Sequence, residues 1–276
     1  MPELPEVEAV ARALGPLVEG RKIQRCRVLH TIAVRPPSGR GEKQTAAAIQ
    51  RGVRGQRICA VERRGKYLIL VLERGYLVLH FRLDGRLLWL DSDKVSGHVD
   101  VMFQTPHGTL GFADRRHFGR VQLTSSLDEI PAIRSLGVEP LSKEFSPALL
   151  VRMLRASQQP LKHFLLDQEK IAGIGNIYSS EAMWRARLNP HMRANRLNQA
   201  QARRLHKAIV DVLHRAVECC LDPLPDFRDA DWWFQGLEGV LRVYGREGKT
   251  CHACGSVIRR IKQGGRSTFL CAHCQR

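Results

Sequence analysis

The chain has 276 residues, enough for two domains with their own cores. Lys and Arg number 44 against 27 Asp and Glu, a formal net charge of +17 that suits a polyanionic partner, most simply nucleic acid. No apolar run approaches the ~20 residues of a spanning helix and no signal peptide is read before Pro2, so a membrane protein is excluded at this level and a cytoplasmic one is expected.

The chain opens Met1-Pro2-Glu3-Leu4-Pro5-Glu6-Val7-Glu8. Removal of the initiator methionine would leave Pro2 as a free secondary amine. An α-amine titrates near ~8, so part of it is neutral and nucleophilic at physiological pH. Attack on a sugar aldehyde carbon would give a cationic iminium, which is covalent catalysis by an amine. Glu3 stands beside it as an acid or base. The same residues also read as a stiff lead-in to a helix over Pro5 to Leu14, with glutamates complementing its positive end. The terminus alone leaves both readings open.

After this helix, Gly20-Arg21-Lys22-Ile23 leads into a strand through Leu29, and Val34 to Gly41 is a Pro/Gly/Ser loop. From Ile58 to Thr124 short apolar runs alternate with turn residues. The runs are Tyr67 to Leu72, Tyr76 to Phe81, Arg86 to Leu90, His98 to Phe103 and Gly119 to Leu123. Turns fall at Arg74-Gly75, Asp84-Gly85 and His107-Gly108. Spacings near ~10 residues with hairpin-type turns predict antiparallel strands in a sandwich or flattened barrel. Residues 125–147 are polar and interrupted by prolines, which fits a linker. Ala148 to Cys219 has helical periodicity, clearest over Asn198 to Cys219, with Asn198 as the cap. Leu221 to Gly239 is a loop rich in Pro, Asp and Trp. The domains expected are therefore 1–124, 148–239 and a basic unit at 240–276.

Cys251-x2-Cys254 and Cys271-x2-Cys274 lie sixteen residues apart. Two such pairs point to one tetrahedral four-thiolate Zn2+ site, structural because no position is left for water. The remaining cysteines (Cys26, Cys59, Cys219, Cys220) are scattered, unlike a secreted disulfide framework. Ile258 to Leu270 reads as a hairpin with a Gln263-Gly264-Gly265-Arg266 tip. Residues 241–276 hold eight Lys/Arg against one acidic residue, which fits phosphate binding on a metal-pinned hairpin. Lys170 to Tyr178 carries Gly173-Ile174-Gly175-Asn176 between helical segments. Its glycines allow close backbone approach, and the helix start that follows is a ready anion site; ordinary helix–helix turn chemistry explains the same residues.

Together these pieces resemble the formamidopyrimidine-DNA glycosylase family of base-excision repair enzymes. The motifs run in family order over essentially the whole chain: Pro-Glu-Leu-Pro-Glu-Val-Glu at 2–8, Arg-Arg-Gly-Lys-Tyr-Leu at 63–68, Asp-Arg-Arg-His-Phe-Gly at 114–119, Gly-Ile-Gly-Asn-Ile-Tyr at 173–178 and Val-Tyr-Gly-Arg-Glu-Gly at 243–248 before the cysteines. The resemblance implies an α+β multidomain fold: a β-sandwich preceded by the catalytic N-terminal helix, a helix–two-turn–helix domain and a zinc-finger hairpin, with DNA in the cleft between. It implies a monomer acting on damaged double-stranded DNA, excising oxidised purines and cleaving the abasic strand by β,δ-elimination. Pro2 would be the nucleophile, Glu3 would assist ring opening and proton transfer, and Glu6 would support the site. Lys66 would help at phosphate and in elimination. Asn176 and Arg266 would pinch the phosphate beside the lesion, and Lys162 would lie near the lesion pocket. Arg116, Phe118 and Leu83 would fill the gap left by the flipped base, as base flipping requires. His98 would contact DNA.

The chain departs from the family in three places. The family's His-Leu-Gly-Met-Ser/Thr-Gly is His80-Phe81-Arg82-Leu83-Asp84-Gly85. Its Lys-His-x-His is Val95-Ser96-Gly97-His98, so one DNA-contacting histidine is replaced by Ser96. The segment that caps the flipped base, usually Gly-Gly-Thr-Thr-Leu-x-Asp-Tyr, is Cys219 to Phe227 followed by Trp232-Trp233-Phe234. A reduced preference for 8-oxoguanine is the expectation, because Pro223 and Pro225 lack backbone N–H groups. Two other readings of the same family stand beside the enzyme: a non-catalytic damaged-DNA-binding protein, and an endonuclease VIII-like enzyme acting on pyrimidines. A zinc hydrolase is disfavoured, since no H-E-x-x-H pattern occurs.

Overall fold

The computed structural model describes residues 2–36, 42–90, 98–229 and 237–276. The chain divides into two compact units. The first holds Met1–Pro2, Glu6–Ser135 and Pro223–Gln235; the second holds Glu3–Pro5, Leu136–Asp222 and Gly236–Arg276.

Helix α1 (Leu4–Val18), which belongs to the first unit from Glu6 onward, buries Val7, Val10, Leu14 and Val18, a one-sided stripe at helical spacing. Its first turn carries Pro5 and Glu6, where a missing N–H is harmless and a carboxylate meets the positive helix end. Then follow β1 (Arg25–Val28), α2 (Glu42–Val53), β2 (Ile58–Arg64), β3 (Tyr67–Leu72), β4 (Tyr76–His80), β5 (Arg86–Leu90), β6 (Val99–Thr105), β7 (Gly108–Ala113) and β8 (Arg120–Thr124). They form two four-stranded antiparallel sheets, ordered β1-β6-β7-β5 and β2-β3-β4-β8. Alternating inward residues such as Leu68, Leu70, Leu77, Leu79, Phe103 and Phe112 make the core. The sandwich expected from the strand pattern is present. Three elements lie outside the runs read there: β2, whose second half is charged, β7, whose two glycines break the apolar run, and α2, whose inward face rests on little more than Ala46, Ile49 and Val53.

The polar stretch after β8 contains a 3-10 turn (Leu127–Glu129) and a short helix, α3 (Pro131–Arg134). Ile130 and Ile133 are buried there with Ile69 and Val78. Residues 223–229 also belong to the first unit. Phe227 is buried in the sandwich core, and its carbonyl accepts the Trp89 N–H of β5 at 2.9 Å.

In the second unit, α4 (Pro147–Arg155) starts on a Ser146 cap, followed by α5 (Leu161–Leu166), α6 (Asn176–Arg185) and α7 (Gln199–Leu221). Helix α7 opens with a reciprocal cap. Asn198 Oδ1 accepts the Gln201 N–H at 2.8 Å, and Gln201 Oε1 accepts the Asn198 N–H at 2.9 Å. Strands β9 (Arg259–Gln263) and β10 (Arg266–Leu270) form the expected hairpin, with Gln263 paired to Arg266 across Gly264 and Gly265 at φ of +56° and +75°. Among the described residues no helix is long and apolar enough to cross a membrane.

Candidate active site and metal centre

Glu3 belongs to the second unit and is buried at the start of α6. Its carboxylate accepts the N–H groups of Gly175 at 2.8 Å, Ile177 at 2.9 Å and Tyr178 at 3.3 Å. These are donors that a helix start leaves unsatisfied, and the helix dipole favours an anion there. The anion site read in the Gly173–Tyr178 turn is thus occupied by the chain's own carboxylate. Gly173 has φ +84°, its carbonyl accepts the Leu4 N–H at 3.1 Å, and an added Cβ would lie 2.7 Å from Leu4 Cβ. Only glycine combines that torsion with that contact.

Around this carboxylate the second unit gathers Lys162, Asn176 and Arg266. Lys162 is wholly buried; its Nζ donates to Ser180 Oγ at 2.8 Å and to the Asn176 carbonyl at 3.2 Å. Burial holds its ammonium down to about 7, with Glu3 pulling upward and Arg266 pushing further down. Asn176, the first residue of α6, donates from Nδ2 to the Ser267 carbonyl at 2.9 Å and so ties α6 to β10. Arg266, at the start of β10, is exposed.

In the first unit Pro2, Glu6 and Lys66 are buried. The turn carrying Lys66 is braced by Arg63, whose Nε donates to Glu8 Oε2 of α1 at 2.7 Å and whose guanidinium donates to the Gly65 carbonyl at 3.0 Å. Leu83 and Phe118 are two of the few exposed large apolar side chains among the described residues, 38% and 44% accessible. The Arg116 guanidinium lies 5.0 Å from the centre of the Phe118 ring and 3.7 Å from Asp84 Oδ2. Each of these loops contains a non-glycine residue at positive φ, Arg82 at +55° and His117 at +54°. Such torsions are uncommon and cluster where a loop must present something. His98 is exposed, and its carbonyl accepts the Asp114 N–H at 3.0 Å. Ser96 and Trp232-Trp233-Phe234 lie outside the described residues.

Three supporting residues went unread in the sequence. Asp114 accepts the N–H groups of Arg116 at 2.9 Å and Gly119 at 2.5 Å, closing the Arg116–Phe118 loop; its place at the head of the Asp-Arg-Arg-His-Phe-Gly motif was the available signal. His80 Nδ1 accepts the Arg82 N–H at 3.0 Å and so steadies the Leu83 loop. Burial, then the charges of Arg82 and Lys66, hold that imidazole neutral down to about 3. Glu181 accepts three N–H groups, from Arg242 at 2.9 Å, Val243 at 2.9 Å and Tyr244 at 2.8 Å, fastening the chain that leads to the finger. Burial pushes its carboxyl up, against those three donors. No local pattern marks it.

The four finger sulfurs lie within 4.8 Å of one another, with Cys251–Cys274 at 3.9 Å and Cys254–Cys271 at 3.5 Å. Tetrahedral zinc with Zn–S bonds near ~2.3 Å separates its sulfurs by about 3.8 Å, between these two values. The donor set fits one zinc ion.

A sandwich led by a helix, a capped helical unit and a four-cysteine hairpin define a class of nucleic-acid-directed proteins, and comparison narrows it. Residues 1–121 match the formamidopyrimidine-DNA glycosylase N-terminal domain, 136–222 its H2TH domain, and 248–276 a zinc finger found in FPG and IleRS. A formamidopyrimidine-DNA glycosylase from Pelotomaculum thermopropionicum is 41% identical over 281 residues, covering 100% of this chain and 99% of that one. MutM in complex with carbocyclic 8-oxo-G-containing DNA superposes with a TM-score of 0.88 at 32% identity, covering 100% of both chains. Lactococcus lactis Fpg in complex with abasic-site DNA gives 0.88 at 30% identity, covering 99% of both. The chain belongs to the formamidopyrimidine-DNA glycosylase family.

Proposed function

We propose that this protein is a bifunctional DNA glycosylase/AP lyase that excises oxidised purines from duplex DNA, acting as a monomer in the bacterial cytoplasm. What supports the reading most is Glu3, held in the α6 amides and joined directly to Pro2. The amine is the nucleophile: its nitrogen bonds to the sugar C1′ as the base departs with a proton, then the C1′–O4′ bond opens, O4′ takes a proton, and an iminium remains. That cation acidifies the neighbouring C2′ proton. Its loss expels the 3′ phosphate, and a second elimination expels the 5′ phosphate. Glu3 handles protons during base loss. Lys162 sits against the Glu3 site as a cation poised near neutrality. Arg266 and Asn176 take the backbone phosphate, while Arg116, Phe118 and Leu83 replace the extruded base. Glu6 and Lys66 support the reacting end, and His98 adds a DNA contact. Bound zinc would supply no chemistry to this sequence; it would hold the β9–β10 hairpin that carries Arg266. The sequence departures over residues 219–239 favour formamidopyrimidines and abasic sites over 8-oxoguanine.

The test is covalent trapping. Protein processed to Pro2 should be captured by borohydride on an abasic duplex, because only an amine–aldehyde adduct reduces to a stable link. An N-terminal extension should abolish strand cleavage while leaving DNA binding intact. Glu3→Gln should slow base excision more than cleavage at a preformed abasic site. If processed protein yields no adduct with any damaged duplex, the lyase reading fails and the non-catalytic DNA-binding reading replaces it.

A further inference from the structure

Three possible metal ligands from separate elements of the first unit converge outside the proposed chemistry. Asp100 sits where β6 shifts register against β7, between Val99 and Val101, and such an irregularity re-aims a side chain. Its carbonyl accepts the N–H groups of Leu29 at 2.8 Å and His30 at 3.2 Å, fixing the chain just beyond β1. His117, at φ +54° in the β7–β8 loop, places Nδ1 2.7 Å from Asp100 Oδ1. The His30 ring lies 5.0 Å from the His117 ring, centre to centre. One ligand atom from each of His30, Asp100 and His117 lies within 4.8 Å of the others.

The carboxylate is the second sign. Asp100 is wholly buried, and its Oδ2 is enclosed without a hydrogen-bond partner among the described residues. A buried acceptor left unmade costs about 1–3 kcal/mol, more when charged. Burial pushes this carboxyl above its ordinary range, against the pull of His117 and His30. Two imidazoles and an under-satisfied carboxylate make a donor set that suits a cation.

We infer that His30, Asp100 and His117 form a second metal site, for a divalent transition ion of the zinc type. Two nitrogens and one oxygen suit such an ion, with water completing the shell. Bonds near ~2.0–2.1 Å at tetrahedral angles separate donors by about 3.3 Å, so His117 and Asp100 part slightly while exposed His30 swings in. The ion takes the place of the hydrogen bond between His117 and Asp100. The bound ion ties the end of β1 and the β6 irregularity to the loop that carries Arg116 and Phe118. It is independent of the cysteine site and of the glycosylase reading.

The test uses the full chain with its finger already zinc-loaded and excess metal removed. Titration with Zn2+ alone should show one further equivalent. His30→Ala, an exposed position that leaves the core untouched, should weaken that equivalent by about 10-fold or more, and His117→Ala should do the same. His107→Ala, on the exposed β6–β7 turn, should change nothing. Cu2+ added to the zinc-loaded protein should give an electron paramagnetic spectrum split by two imidazole nitrogens, falling to one in either variant. The inference is overturned if no second equivalent binds at millimolar zinc, or if one binds equally to wild type and both variants.

Discussion

At the scale of single residues, Arg82 and Lys162 carry measurable consequences. Arg82 stands where the resembled motif has glycine, and it adopts φ +55°. A non-glycine residue there is strained by about 1–2 kcal/mol. Arg82→Gly is therefore expected to stabilise the protein by about 1 kcal/mol and raise Tm by about 2–4 °C. It should also raise the His80 titration, since the Arg82 charge follows burial as a cause of its depression. Thermal denaturation and imidazole NMR read the two effects; a lower Tm would mean that the arginine makes compensating contacts. For Lys162 the folded state releases its proton near 7, whereas the unfolded chain keeps it to the ordinary 10.5. Between those values the unfolded chain binds more protons, so this residue makes stability rise with pH, and its burial penalty is complete below about 7. Lys162→Met removes that penalty. Its Tm relative to wild type should improve as pH falls from about 10 to about 7, and a difference that stays flat across the window would sink the assignment.

At the scale of elements, one carboxylate shapes the loop between β7 and β8. Asp114 is buried and takes the N–H groups of Arg116 and Gly119. Gly119 has no room for more than hydrogen, since an added Cβ would lie 2.5 Å from the Phe112 ring. Asp114→Ala leaves both donors unpaired and should cost about 2–3 kcal/mol. The substitution removes no apolar side chain from the sandwich core, so cooperative denaturant unfolding should persist with a lower midpoint. Affinity for a gapped or abasic duplex should fall more than affinity for intact duplex, because the loop presents Arg116 and Phe118. Equal losses on both DNAs would detach the loop from gap filling.

At the scale of the whole molecule, charge and metal dominate. A net charge of +17 predicts DNA affinity that falls steeply with salt, as several Lys and Arg release counterions from phosphate. Affinity that stays level between low and physiological salt would rule out a phosphate-dominated interface. Zinc removal by a chelator should lower DNA affinity further, because the finger's own core is little more than Val243, Cys251, Ile258, Phe269 and Cys271. Arg266→Ala should reproduce part of that loss with the metal still bound.

The sequence by itself determined what short-range chemistry sets. Two Cys-x2-Cys pairs chelate from tight turns whatever surrounds them. Asn198 and Gln201 cap a helix with atoms three residues apart. Period-2 runs between turn residues pair into hairpins, and a proline beside a glutamate carries its reactivity in its covalent structure. The tertiary structure alone decided where distant groups meet. Glu3 finds its donors 172 residues away at Gly175 because α6 begins with free amides and Gly173 admits Leu4. Residues 223–229, read as part of a loop following helices, join the sandwich through the burial of Phe227. His30, Asp100 and His117 share no motif; strand pairing and one register shift bring them together. The division has a physical cause. Torsions, caps and chelate rings involve neighbours in sequence, whereas burial and convergent hydrogen bonds exist only once the chain has closed around them.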